Sequence, residues 1–173
     1  MARNRPRLTL LEAALLLSLS ALVLAVFVPS FVRRVRTNKI DEAPELLAEL
    51  SRRTAAYYAA HPTGCLPPGA GPAPGAPARK PEELDFSSPE TPGHATWRAL
   101  AFQPGRPVRF SYQYLPRESG CGLRETEAPI PIVFRAQGDL DGDGVLSTFE
   151  LRAKIEQGRF TPAEELRVHQ RTE

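Results

Sequence analysis

The hydrophobic pattern divides the chain into three regimes. From Ala13 to Val32 a run of 20 positions carries no charge. At 1.5 Å of rise per residue, a helical run of that length spans about 30 Å, the thickness of a hydrocarbon core. The pattern predicts a transmembrane helix over 8–32, behind a basic leader at 1–7. A cleaved secretory signal has a shorter apolar core and a small-residue cleavage site. Here the run passes straight into Arg33-Arg34-Val35-Arg36, so a retained anchor is expected. The pattern then turns amphipathic. Ile40, Ala43, Leu47, Leu50, Thr54 and Tyr57 recur at steps of three and four, with Glu45, Glu49, Arg52 and Arg53 largely off that stripe. Residues 33–60 are therefore expected to continue the helix with one face on a sheet. Pro29 and Pro44 should each bend it or loosen a turn. His61-Pro62 ends it, because the residue before proline avoids the helical region.

The third regime is interrupted. Residues 62–107 hold 11 of the 18 prolines, which excludes long regular elements and predicts a Pro/Gly-rich wrapped loop region over 61–107. Trp97, Leu100 and Phe102 form a small apolar cluster expected to plug the core. Ile130 to Gln137 is β-branched and contains proline, which suits a strand better than a helix. Val145, Ser147, Phe149 and Leu151 fall on alternate positions, favouring a strand at the start of Val145–Ile155. With Val108 to Leu115 these runs predict a three-stranded antiparallel meander within 108–158. Residues 159–173 read as a tail, either a short helix or loose chain. The fold class expected is α+β: a long N-terminal transmembrane helix continuing into a small head with an antiparallel β-meander.

Charge changes the picture in one respect. Arg3, Arg5, Arg7, Arg33, Arg34, Arg36 and Lys39 all flank the apolar run, and from Ile40 onward 15 basic residues face 19 acidic ones. The head is mildly acidic, without the clustered Lys/Arg of a nucleic-acid footprint. Cys65 and Cys121 both follow the apolar run. An even pair fits one disulfide in an oxidising compartment, and the alternative is two unpaired thiols. Closing about 57 residues would stabilise the head by roughly 4 kcal/mol in the chain-entropy model.

The most specific motif is Asp139-Leu140-Asp141-Gly142-Asp143-Gly144-Val145-Leu146-Ser147-Thr148-Phe149-Glu150, which matches the full D-x-[DN]-x-[DN]-G-x5-E template. Asp139, Asp141 and Asp143 would converge on a hard cation, Gly144 permits the sharp turn, and the Val145 carbonyl adds an oxygen. Ser147 would act directly or through water, and Glu150 would close the shell. Structural Ca2+ is the expectation, against an acidic hairpin turn without metal. The strand before the loop argues against a helix–loop–helix sensor. His61, His94 and His169 stand far apart and read as solvated surface residues. No catalytic motif is visible, so no enzymatic activity is expected.

Leu8-Thr9-Leu10-Leu11-Glu12, then the apolar run, then Pro29 in its second half, resembles the N-terminus of type IV pilins and type II secretion pseudopilins. The likeness covers residues 1 to about 60. It implies a structural subunit of a type IV pilus or type II secretion-type filament, in the inner membrane as a single-pass protein. The N-terminus would be cytoplasmic, and the head periplasmic or in an extracellular filament. It implies like or related pilin subunits as partners, with Glu12 pairing with the positively charged N-terminus of a neighbour. It also implies a prepilin peptidase that would free and methylate Leu8. That peptidase cuts after glycine, and Arg7 stands there instead. Some pilin-like proteins carry calcium in a C-terminal loop, as the position of 139–150 would require. The alternative is a non-assembling, membrane-tethered periplasmic calcium-binding module with an uncleaved leader.

Overall fold

The computed structural model describes residues 12–25, 27, 41–78, 80–139 and 144–169, the side chains of 163 and 164 excepted. The chain divides into two units, Met1–Ile40 and Asp41–Glu173. In the first, residues 12–25 and residue 27 are helical, as helix α1. The hydroxyls of Ser18 and Ser20 donate back to the carbonyls of Ala14 and Leu17, which satisfies both polar groups within the helix. Among the described residues no helix is long and apolar enough to cross a membrane. This corrects the expectation of a transmembrane helix over 8–32 and of a single-pass inner-membrane location. The helical residues described there, 12–25 and 27, are fewer than the roughly 20 continuous residues a span requires.

The second unit is an antiparallel sheet with a helix laid across it. Helix α2 covers Glu42–Ala60. Pro44 does not bend it, because Pro44 lies in the first turn, where a missing N–H leaves no bond unmade. The buried stripe runs through Ala43, Leu46, Leu47, Leu50, Thr54 and Tyr58. It turns onto Tyr58 rather than Tyr57, a four-residue step after Thr54. Spacing alone permits either step, and only the position of the sheet selects one. The helix stops at His61, whose N–H reaches the Tyr58 carbonyl.

Strands β2 (Ala70–Ala73), β3 (Ser111–Pro116), β5 (Ile130–Gly138), β6 (Ser147–Glu156) and β7 (Arg159–His169) form one sheet in the order β2-β3-β5-β6-β7. Each neighbouring pair is antiparallel. Strands β1 (Cys65–Leu66) and β4 (Gly120–Cys121) pair separately. Two expectations are corrected here. Residues 159–169 are an edge strand and not a helix or tail. The Pro/Gly-rich segment contributes β1, β2 and a short helix α3 (His94–Ala99). In place, the charges, Pro162 and a register shift between Leu151 and Ala153 blunt an exposed sheet edge.

Alternation along the strands turns Tyr112, Tyr114, Ile132, Phe134, Ala136, Phe149, Ala153 and Ile155 to one face, where they are buried. Trp97, Phe86, Phe102 and Tyr112 extend this core, with ring centroids 5.3–6.3 Å from Phe86. The Trp97 Nε1–H donates to the Pro92 carbonyl at 2.9 Å, so the indole is fully buried with its polar atom satisfied.

A carboxylate fastens the helix to the sheet. Glu42, in the first turn of α2, is only 4 % exposed. Its Oε1 accepts from the backbone N–H of Arg109 at 2.8 Å and of Phe110 at 3.3 Å, and from the Tyr112 hydroxyl at 3.2 Å. The Arg109 guanidinium pairs with Oε2 at 3.5 Å. Burial, reinforced by the neighbouring Glu42 charge, pushes the Tyr112 hydroxyl far above its ordinary pKa, so it stays a donor. Replacing Glu42 by Ala strands two buried donors and one part-buried donor and should destabilise the head by about 3 kcal/mol, whereas Tyr112→Phe should remove about 1 kcal/mol. Urea unfolding of both variants checks that order.

Candidate functional site

The acidic template falls on the hairpin between β5 and β6. Gly138 and Ser147 are register partners, so residues 139–146 form the connection. A Cβ at Gly138 would lie 2.6 Å from the Phe110 ring. Only glycine lets the end of β5 pass so close, and Phe110 in turn meets Phe149 edge-on at 5.5 Å. The loop therefore leaves from a packed aromatic base. Asp139 Oδ2 accepts the backbone N–H of Gly144 at 3.3 Å. Gly144 has a φ of +86°, the left-handed region that glycine adopts without strain. The first and sixth template positions are thus brought together as a cation loop would need. Val145 is 45 % exposed and Ser147 is buried. Asp141 and Asp143 lie outside the described residues. Among the described residues, no group of three or more His, Cys, Asp or Glu side chains could hold a metal ion.

Glu150 is in a different setting. It lies on β6 and is 6 % exposed. Its Oε1 accepts from the Arg135 guanidinium, with Nη2 at 2.8 Å and Nε at 2.9 Å. Its Oε2 accepts from Arg152 Nη2 at 3.1 Å. Burial alone would raise the Glu150 pKa, but the two guanidiniums outweigh it and hold the carboxyl below the usual range. Along the same face, Gln113 donates to Gln137 and Gln137 to Thr148. The Asp139–Gly144 contact is the turn that the template expects, whereas Glu150 is held by two arginines. Sequence reasoning missed Arg135 and Arg152 as partners of Glu150. The signal was an arginine two residues after Glu150, on the same strand face, and another on the preceding strand.

Cys65 and Cys121 are register partners of β1 and β4 and are joined as a disulfide. The bonded lobe is tied down from several sides. Backbone N–H groups of Leu123 and Arg124 reach the carbonyls of Gly64 and Thr63. The Arg124 guanidinium stands 5.5 Å over the Tyr58 ring, and the Tyr58 hydroxyl donates to the Gly158 carbonyl. The Tyr58 hydroxyl therefore links the end of α2 to the β6–β7 turn.

The residues expected to act in assembly fall on the first unit. Glu12 opens α1 and is exposed. Arg7, Leu8 and Pro29 lie outside the described residues. Leu15, Leu16, Leu17, Leu22 and Phe27 are 55–71 % exposed, so α1 carries apolar surface open to solvent. The three histidines are dispersed: the His61 ring packs tilted against Tyr57 with centroids 4.2 Å apart, His94 opens α3, and His169 ends β7.

No family model, curated protein or solved structure matches this chain. What the site does is therefore argued from its own residues. Replacing Gly138 by Ala would drive a methyl into Phe110 and should cost about 1–3 kcal/mol. Thermal unfolding in a chelator checks this, and the loss should be the same with calcium added.

Proposed function

We propose that this chain is a structural subunit of a type IV pilus or type II secretion-type filament, assembling with like or related pilin subunits through its N-terminal helix. The observation that supports this most is the apolar surface of α1. Leu17, Leu22 and Phe27 are each about two-thirds exposed in the single chain. A helix apolar on most of its surface is stable only when something covers it, and neighbouring copies of the same helix are the simplest cover in a filament. The likeness of Leu8-Thr9-Leu10-Leu11-Glu12 to the pilin N-terminus points the same way. So does the head: a helix on an antiparallel sheet, with a disulfide fastening its irregular lobe, suits tiling better than motion.

Glu12 stands at the start of that apolar surface. There a carboxylate is best accommodated by a positive group from a neighbouring subunit, as in the family it resembles. Calcium in the 139–147 loop would act as a second clip on the head, supplying positive charge among Asp139, Asp141 and Asp143, which otherwise repel one another. Without a helix pair to open around that loop, the cation is read as structural and the protein as non-enzymatic.

A photoreactive amino acid at Leu17 or Leu22 tests the assembly reading in the producing cell. Cross-linked ladders of this chain, or of this chain with a related subunit, are expected. They should disappear in Glu12→Ala while the head stays folded. Cross-linking confined to monomer, or undisturbed by Glu12→Ala, would sink the assembly role. For the loop, Asp139→Ala with Asp141→Ala should lower the melting temperature only when calcium is present; an equal fall in chelator would count against a cation.

A further inference from the structure

We infer that Glu150, although it occupies the last acidic position of the cation-loop template, does not bind the cation and instead serves as the shared anchor of Arg135 and Arg152 on the polar face of the sheet. This rests on the calcium reading only in part, because the anchor role stands whether or not the loop takes metal.

The case begins with strand geometry. In a helix–loop–helix calcium site the chain turns helical at the ninth template position. The twelfth residue then lies one turn on, about 4.5 Å along the axis and close to the ninth side chain's face. In this chain the ninth position, Ser147, is the first residue of a strand that runs on to Glu156. Three residues of strand carry the chain about 10 Å from the loop. Because side chains alternate at period two, an odd step also reverses the face. Ser147 and Glu150 therefore point to opposite sides of the sheet. Ser147 is on the side of buried Phe149, and Glu150 is on the side of Thr148 and Arg152. Two groups on opposite sheet faces do not converge on one ion.

The neighbours of Glu150 agree. The register places it between Arg135 on β5 and Arg167 on β7. Both carboxylate oxygens already accept charge-assisted bonds, from Arg135 and Arg152. A bidentate cation ligand would have to give up both and leave two guanidiniums facing each other. Its 8 % side-chain exposure means that water could not easily take over that pairing.

The test uses the full chain, calorimetric titration with calcium chloride, and thermal unfolding in EDTA. Glu150→Gln should leave calcium affinity within about threefold of wild type, because a group outside the coordination shell contributes little differential binding energy. The same variant should lose several degrees of melting temperature in EDTA, with a loss non-additive to that of Arg135→Met. Arg135→Met separates direct from indirect effects, since it breaks the same pair and deletes no oxygen ligand. If Glu150→Gln weakens calcium binding at least about tenfold more than Arg135→Met does, Glu150 is a ligand and the inference is overturned. It is equally overturned if Arg135→Met tightens binding about tenfold, because a released Glu150 would then be joining the ion. Should Glu150→Gln fail to fold, Arg135→Met alone decides: unchanged affinity with a lowered melting temperature supports the anchor role. If the wild-type chain takes no calcium, the structural-cation reading fails. The anchor role is then judged by unfolding in EDTA alone, and a Glu150→Gln variant as stable as wild type would overturn it.

Discussion

A carboxylate in the first turn of α2 holds the head together at the point where helix and sheet meet. Glu42 is almost wholly buried, and the donors it satisfies are Arg109 N–H and Phe110 N–H, which lead into β3, and the hydroxyl of Tyr112 within β3. Such a group is tolerated in a core only when its oxygens are satisfied, and here the satisfaction also fixes a register. With α2 pinned at that end, its apolar stripe lies along the sheet toward Tyr58. The Tyr58 hydroxyl reaches the β6–β7 turn at Gly158. The helix is thus held at both ends by polar contacts and along its length by Leu47 and Leu50.

That placement gives the sheet two unlike faces, and the candidate site inherits the difference. The face under α2 is aromatic and aliphatic. It carries Phe110 and Phe149 to the base of the β5–β6 hairpin, where Gly138 leaves room for the Phe110 ring. The opposite face carries a polar row from Gln113 through Gln137 to Thr148, and the Arg135–Glu150–Arg152 cluster beside it. The acidic template crosses from one environment to the other. Its first part lies in the hairpin loop and its last residue lies well inside the sheet.

The two units carry different physical burdens. The head is closed: a buried core, paired strands, an edge strand blunted by charge and proline, and a disulfide holding the lobe between β1 and β4. Helix α1 is open, with leucines and Phe27 presented to solvent.

From residues alone one could read the amphipathic stripe of α2, the strand character of 130–137 and of the start of 145–155, and the turn at Gly144. Each depends on a local period or a local backbone preference. The apolar run from Ala13 to Val32 was equally visible, but among the described residues no helix is long and apolar enough to cross a membrane. Tertiary structure alone decided that Pro44 lies in a first turn, that Tyr58 and not Tyr57 closes the stripe, and that the charged segment 159–169 is an edge strand. It alone decided that Glu42 and Glu150 are buried carboxylates with partners remote in sequence. Arg109 lies 67 positions from Glu42, and Arg135 lies 15 from Glu150. Periodicity reports which side of an element faces inward, whereas the partner of a buried charge is set by which strand is brought alongside, and no local pattern carries that.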